Sequence, residues 1–107
     1  MLRYRDGSEP AMSRPTTFKF QLYVAGDTQN SVQALANLTA LCLTQLPGRH
    51  KIEVVDVLKE PKRALADGIF MTPTLVKLAP SPVQTIVGTL SDTYALLQIL
   101  GVGTLAA

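Results

Sequence analysis

The spacing of apolar and polar residues changes several times along the chain, and each change marks an element. Phe18, Phe20, Leu22 and Val24 alternate with Lys19, Gln21 and Tyr23, a period of two that predicts a strand with one buried face. Ala25-Gly26-Asp27-Thr28 ends it. Val32, Leu35, Leu38, Leu41 and Cys42 then recur at helical spacing, with Asn30 or Ser31 placed to cap the first N–H groups and Pro47-Gly48 to stop the helix. Ile52 to Leu58 is apolar on both faces apart from Glu53 and Asp56, the pattern of a strand covered on both sides. Strand, helix and strand of these lengths predict a right-handed βαβ unit with parallel strands. Pro61 suits the first position of a short helix over Lys62 to Asp67, with Gly68 as its cap. A strand over 74–78, the rigid turn Pro80-Ser81-Pro82 and the alternating run Val83 to Val87 predict a hairpin. Ser91 or Asp92 caps a last helix over 93–100, which Gly101 and Gly103 terminate.

Before the hairpin stands Thr72-Pro73-Thr74. A proline at the head of a strand offers no N–H to the ladder and fixes φ, so it marks a kinked start. With the order βαβ, short helix, ββ, helix, this stretch resembles the cis-proline corner of the thioredoxin-like α/β architecture. Thiol chemistry in that architecture needs a low-pKa thiolate at a helix N-terminus. Here the corresponding loop, Gly26-Asp27-Thr28-Gln29-Asn30-Ser31, contains no sulfur, and the single cysteine, Cys42, lies on the apolar stripe of the first helix, where it reads as a small buried hydrophobe. A thiol oxidoreductase is therefore disfavoured.

Composition narrows the remaining classes. The 107 residues make one domain, 47% apolar, with formal net charge +2, enough for a two-layer core without metal or disulfide support. Residues 1–15 lack period and carry Gly7, Pro10 and Pro15, so they are expected to form a flexible arm ahead of a single domain over 16–107. No basic run with interleaved aromatics suggests nucleic acid, and no apolar run approaches membrane-span length; a cytoplasmic protein with no cofactor is expected. The sole histidine, His50, reads as an exposed turn residue and Asp56 as a strand-end hydrogen-bonding group. No catalytic or metal-binding set emerges.

Longer motifs carry a specific resemblance. Leu22-Tyr23-Val24-Ala25-Gly26-Asp27-Thr28-Gln29-Asn30-Ser31-Val32-Gln33-Ala34-Leu35 resembles LYVAGNTPNSVRAL of the KaiB circadian-clock family. Val55-Asp56-Val57-Leu58-Lys59 with Pro61, Thr72-Pro73-Thr74-Leu75, Pro80-Ser81-Pro82-Val83 and Ile86 to Ser91 continue it as that family's VIDVLKNP, ATPTL, PPPV and IIGDLS, in one register from Phe18 to Ser91. The resemblance implies a non-enzymatic regulator with two folds. One is a βαββααβ ground state that self-associates as dimers or tetramers and is expected for the isolated chain; the other is a thioredoxin-like βαβαββα monomer that binds a KaiC-like ATPase. KaiA-like and histidine-kinase partners are implied too, or an adaptor role toward another signalling or stress-response partner.

The same resemblance marks residues to watch. Thr72, Pro73, Thr74, Gly88, Ile99 and Gly101 fall where refolding would be controlled, and Gln33, Glu53, Lys59, Lys62 and Arg63 are candidates for partner binding. The departures point to a divergent paralogue. Gln33 and Glu53 stand where the family carries basic residues, Thr89 replaces an aspartate, and Ile99 and Gly101 replace a glycine and an aspartate of the last helix.

Overall fold

The computed structural model describes residues 16–101; the arm expected over 1–15 and the chain end over 102–107 lie outside the described residues. The elements are β1 (Phe18–Val24), α1 (Gln29–Gln45), β2 (His50–Asp56), α2 (Pro61–Ala66), β3 (Thr74–Ala79), β4 (Gln84–Val87) and α3 (Thr93–Leu100). This is the thioredoxin-like βαβαββα order, not the βαββααβ order expected for the isolated chain. Local chemistry from Lys59 onward agrees with it. Pro61 opens α2, Asp92 Oδ1 accepts the Ala95 N–H at 3.1 Å to cap α3, and Gly101 closes α3 in the left-handed conformation at φ 80°. The Thr72-Pro73, Ala79-Pro80 and Ser81-Pro82 peptides are cis.

The four strands lie in the order β2-β1-β3-β4. β1 pairs parallel with β2 and antiparallel with β3, and β3 pairs antiparallel with β4. Period two divides the sheet. Phe18, Phe20, Leu22, Val24 and Leu75 meet Ala34, Leu38 and Cys42 of α1 and Leu96 and Leu100 of α3 in one apolar core. Each fully buried leucine there contributes about 1.5–3 kcal/mol. Lys77 shares that face of β3, opposite Phe20 and Gln84, and is itself buried. The other face carries Tyr23, Val55, Thr74 and Val76, and among the described helices the six-residue α2 lies over it, with Ala64 its buried residue and Arg63 bonded to Glu53 of β2.

Four expectations are corrected. β2 begins at His50 and forms an edge of the sheet, with Val54 44% exposed and Val55 its buried apolar residue; its β-branched residues suit a pleated ribbon at the edge as well as at the centre. Neither Asn30 nor Ser31 caps α1. That helix starts at Gln29, while Ser31 Oγ accepts the Ala25 N–H at 3.0 Å and the Thr28 hydroxyl at 2.9 Å, tying β1 to the helix. The buried stripe of α1 runs through Ser31, Ala34, Leu38 and Cys42, and Val32 is exposed, because small residues let the helix approach the sheet closely. His50 is half-buried, and its Nδ1 lies 2.8 Å from the Leu46 carbonyl at the end of α1, so that nitrogen carries the proton.

Candidate interaction surface

The loop between β1 and α1 lies beside the Thr72-Pro73 corner, where a cleft of about 340 Å³ is lined by Ala25, Thr28, Gln29, Asn30 and Thr72. Apart from the Ala25 methyl its side chains are hydroxyls and amides, without a thiol or a titratable group. Cys42 is eleven residues further along α1 than Ser31, or about 16 Å along the axis, and is fully buried. Burial pushes its thiol up to about 11, the direction opposite to that of a reactive cysteine. Among the described residues no three metal-ligating side chains come together, and no helix is long and apolar enough to cross a membrane.

The α2 face is richer in charge and exposed apolar surface. Glu53 on β2 and Arg63 on α2, both partner-binding candidates, bind each other. The guanidinium donates twice, Nη1 to Oε2 and Nη2 to Oε1, each at 3.0 Å. Arg63 also lies 3.6 Å from Glu60 and 3.8 Å from Asp67. Gln21 Nε2 donates to Glu53 Oε1 at 2.9 Å. Hydrogen bonds from Arg63 and Gln21 hold the Glu53 carboxyl below the usual carboxylate range, and the bond to Glu53 raises the basicity of Arg63. Tyr23, buried on β1, donates its hydroxyl to Asp67 Oδ2 at 2.7 Å. Burial first, and then the acceptor Asp67, push that phenol up to about 12.

Lys59 and Lys62 are exposed at the start of α2. Lys59 is the residue where the chain turns out of β2, its N–H bonded to the Asp56 carbonyl at 3.0 Å. Asp56 acts as the strand-end group the sequence suggested, accepting N–H groups from Gly26 at 3.0 Å and Leu58 at 2.9 Å. Beyond α2 the face is apolar. Phe70 is 82% exposed and Met71 63%, and with Val76, Val83 and Val87 they line a groove of about 360 Å³ that reaches Asp67. A large exposed aromatic beside an exposed methionine marks a contact surface.

Gln33 does not join this group. It sits on α1, across the sheet, with Nε2 3.5 Å from Ser91 Oγ, in a mixed groove lined by Asn37 and Thr93 together with Leu41, Leu90 and Leu96. The residues proposed for fold control are structural in this arrangement. The Gly88 N–H donates to the Pro73 carbonyl at 2.9 Å, and Thr74 Oγ1 donates to the Met71 carbonyl at 2.6 Å. Ile99 is buried in α3 and Gly101 caps it. Phe70 and Met71 were missed in the sequence. Their signal was the run of three large apolar residues, Ile69 to Met71, between Gly68 and Pro73, in no periodic element.

Comparison with known proteins places these features. A family model described as the KaiB domain matches residues 21–102. The protein named circadian clock oscillator protein KaiB in Acaryochloris marina is 49% identical over 76 residues, which cover 71% of this chain and 73% of that relative. Its namesake in Synechococcus elongatus is 47% identical over 81 residues, covering 76% and 79%. In fold, the chain is similar to chloroplastic thioredoxin z, with a TM-score of 0.67 at 22% identity, covering 79% of this chain and 76% of that one. It is also similar to the N-terminal domain of Synechococcus elongatus SasA, with a TM-score of 0.62 at 24% identity, covering 89% and 90%.

Proposed function

The chain belongs to the KaiB family, whose named members are clock regulators rather than enzymes, and from that premise we propose that it is a non-enzymatic clock protein that binds a KaiC-like ATPase through the α2 face. One observation carries the choice of face. Phe70 and Met71 stand exposed just beyond the end of α2, and Lys59 and Lys62 are exposed at its start, so an apolar anchor and cations flank the same short helix, the combination by which a partner is both steered and held. Glu53 and Arg63 neutralise each other there, so the cations left for a partner include the two lysines at the start of α2, with exposed Lys19 and Lys51 on the same face of β1 and β2. Gln33 lies across the sheet and takes no part.

Binding of this kind draws on the thioredoxin-like arrangement. A self-associated resting form, dimer or tetramer, competes with it, and the partner shifts the population by its differential affinity for the two. Pro73 accepts the Gly88 N–H, Thr74 bonds back to the Met71 carbonyl, and Ile99 and Gly101 complete α3; with Thr72 these are the residues at which the balance between the two arrangements would be set. A second reading is an adaptor for a histidine-kinase or other signalling partner; the thioredoxin-like fold shared with the SasA domain over nine-tenths of the chain suits a binding role of that kind.

Size-exclusion chromatography with each KaiC homologue of the source genome, with ADP and with ATP, tests the first reading. A co-migrating complex is expected, lost in a Phe70→Ser, Met71→Ser double variant that keeps its circular dichroism. Absence of a complex with every homologue overturns it, and a pull-down that recovers a kinase instead establishes the second.

A further inference from the structure

α2 is held to the sheet in an unusual way. Six residues are too few for a helix that stands alone in water, so tertiary contacts must hold it. Those contacts are scarcely apolar: Ala64 is the one buried side chain of α2, and Leu65 faces solvent. The polar attachments are stronger in kind. The guanidinium of Arg63 grips Glu53 on β2 with two parallel bonds of 3.0 Å, a geometry that sets this pair apart from an ordinary surface ion pair. Glu60 and Asp67 flank the same guanidinium on its own segment. Four residues on from Arg63, Asp67 takes the hydroxyl of Tyr23 from β1. Two side chains of the segment thus clasp two adjacent strands.

We propose that the Arg63–Glu53 fork and the Tyr23–Asp67 bond form a salt-sensitive latch that opens and closes α2 over the sheet, independently of the core. The apolar groove begins at Asp67, Gly68 and Ile69, where α2 ends, so opening the latch reshapes the end of the groove. That regulatory consequence rests on the α2 face being the partner surface; the latch itself does not.

Amide hydrogen exchange on the protein without any partner tests the latch apart from the function. The reporters are the Ala64, Asp67 and Ile69 amides, bonded to the Glu60, Arg63 and Ala64 carbonyls; Leu22 and Tyr23 in β1 serve as the internal reference. Raising NaCl from 20 mM to 1 M is expected to speed exchange at the reporters by at least about threefold while the reference changes less than about twofold, since salt screens an exposed pair but not the core. Glu53→Gln and Arg63→Met are each expected to reproduce the effect at low salt and to abolish its salt dependence. The double variant is expected to exchange no faster than Arg63→Met alone, because the two share one interaction. Reporter exchange that ignores salt, or single-variant effects that simply multiply in the double variant, would overturn the latch. Failure of the KaiC-like binding assay would leave these rates where they are.

Discussion

Replacing Ile99 by glycine restores the residue the KaiB resemblance expects and measures how strongly α3 supports this arrangement. The side chain is 7% exposed, so the variant loses nearly the whole transfer free energy of a buried isoleucine, about 1.5–3 kcal/mol. A glycine inside the helix adds about 0.5–1 kcal/mol of backbone entropy, with the lower value favoured because Ile99 lies in the last turn, next to the Gly101 cap. The sum, about 2–4 kcal/mol, is a factor of about 30 to 700 in an equilibrium constant, a large part of the stability of a domain this size. Urea denaturation followed by circular dichroism reads the loss, and Ile99→Ala, which keeps the helix backbone, separates the burial from the entropy. If the alternative arrangement leaves residue 99 unburied, size-exclusion chromatography will show the self-associated form gaining by a similar factor. An Ile99→Gly midpoint equivalent to within about 0.5 kcal/mol of the parent refutes the account, since such a value belongs to a surface site.

Two further outcomes follow from buried groups. Cys42 and Tyr23 are acids whose folded values are raised, from 9.0 to about 11 and from 10.0 to about 12; the unfolded chain releases these protons first, so stability falls as pH rises through that window and is unaffected by them below pH 8. Native protein at pH 8 is accordingly expected to leave Cys42 unreactive toward an aromatic disulfide reagent until urea is added, and absorbance at 295 nm should place the Tyr23 transition above the ordinary phenol range. Lys77 is buried on the core face, and its ammonium has no hydrogen-bond or ion-pair partner among the described residues. Lys77→Met keeps the stem and removes the ammonium, so the urea midpoint is expected to rise by about 1 kcal/mol equivalent; a fall would show that the amine is solvated and useful.

Much of the fold was legible because it is local. The alternation of Phe18 to Val24, the helical spacing through Leu38 and Cys42, the Asp92 cap and the terminal Gly101 each specify an element through contacts within a few residues, and the TPT corner announced the strand it opens. The missing thiol in the β1–α1 loop also settled what the cleft beside it cannot do. Placement across the sheet was not legible. The residues of β2 read as a covered strand, yet the chain order β2-β1-β3-β4 leaves it at an edge, because side-chain character records suitability for a sheet and not position within one.

The sequence by itself determined the family, the elements and the absence of thiol chemistry at the loop, all of which reside in short stretches of residue identity. Only the tertiary structure decided which charges are free. Glu53 and Arg63, ten residues apart, cancel each other through a bidentate pair, while Gln33 is separated from them by the sheet. Period two sent Tyr23 to the face opposite the core, and there the long-range pairing of β1 with β2 and β3 set it beneath α2, within reach of Asp67. Charge is a property of one residue, but availability depends on the partner the fold brings to it.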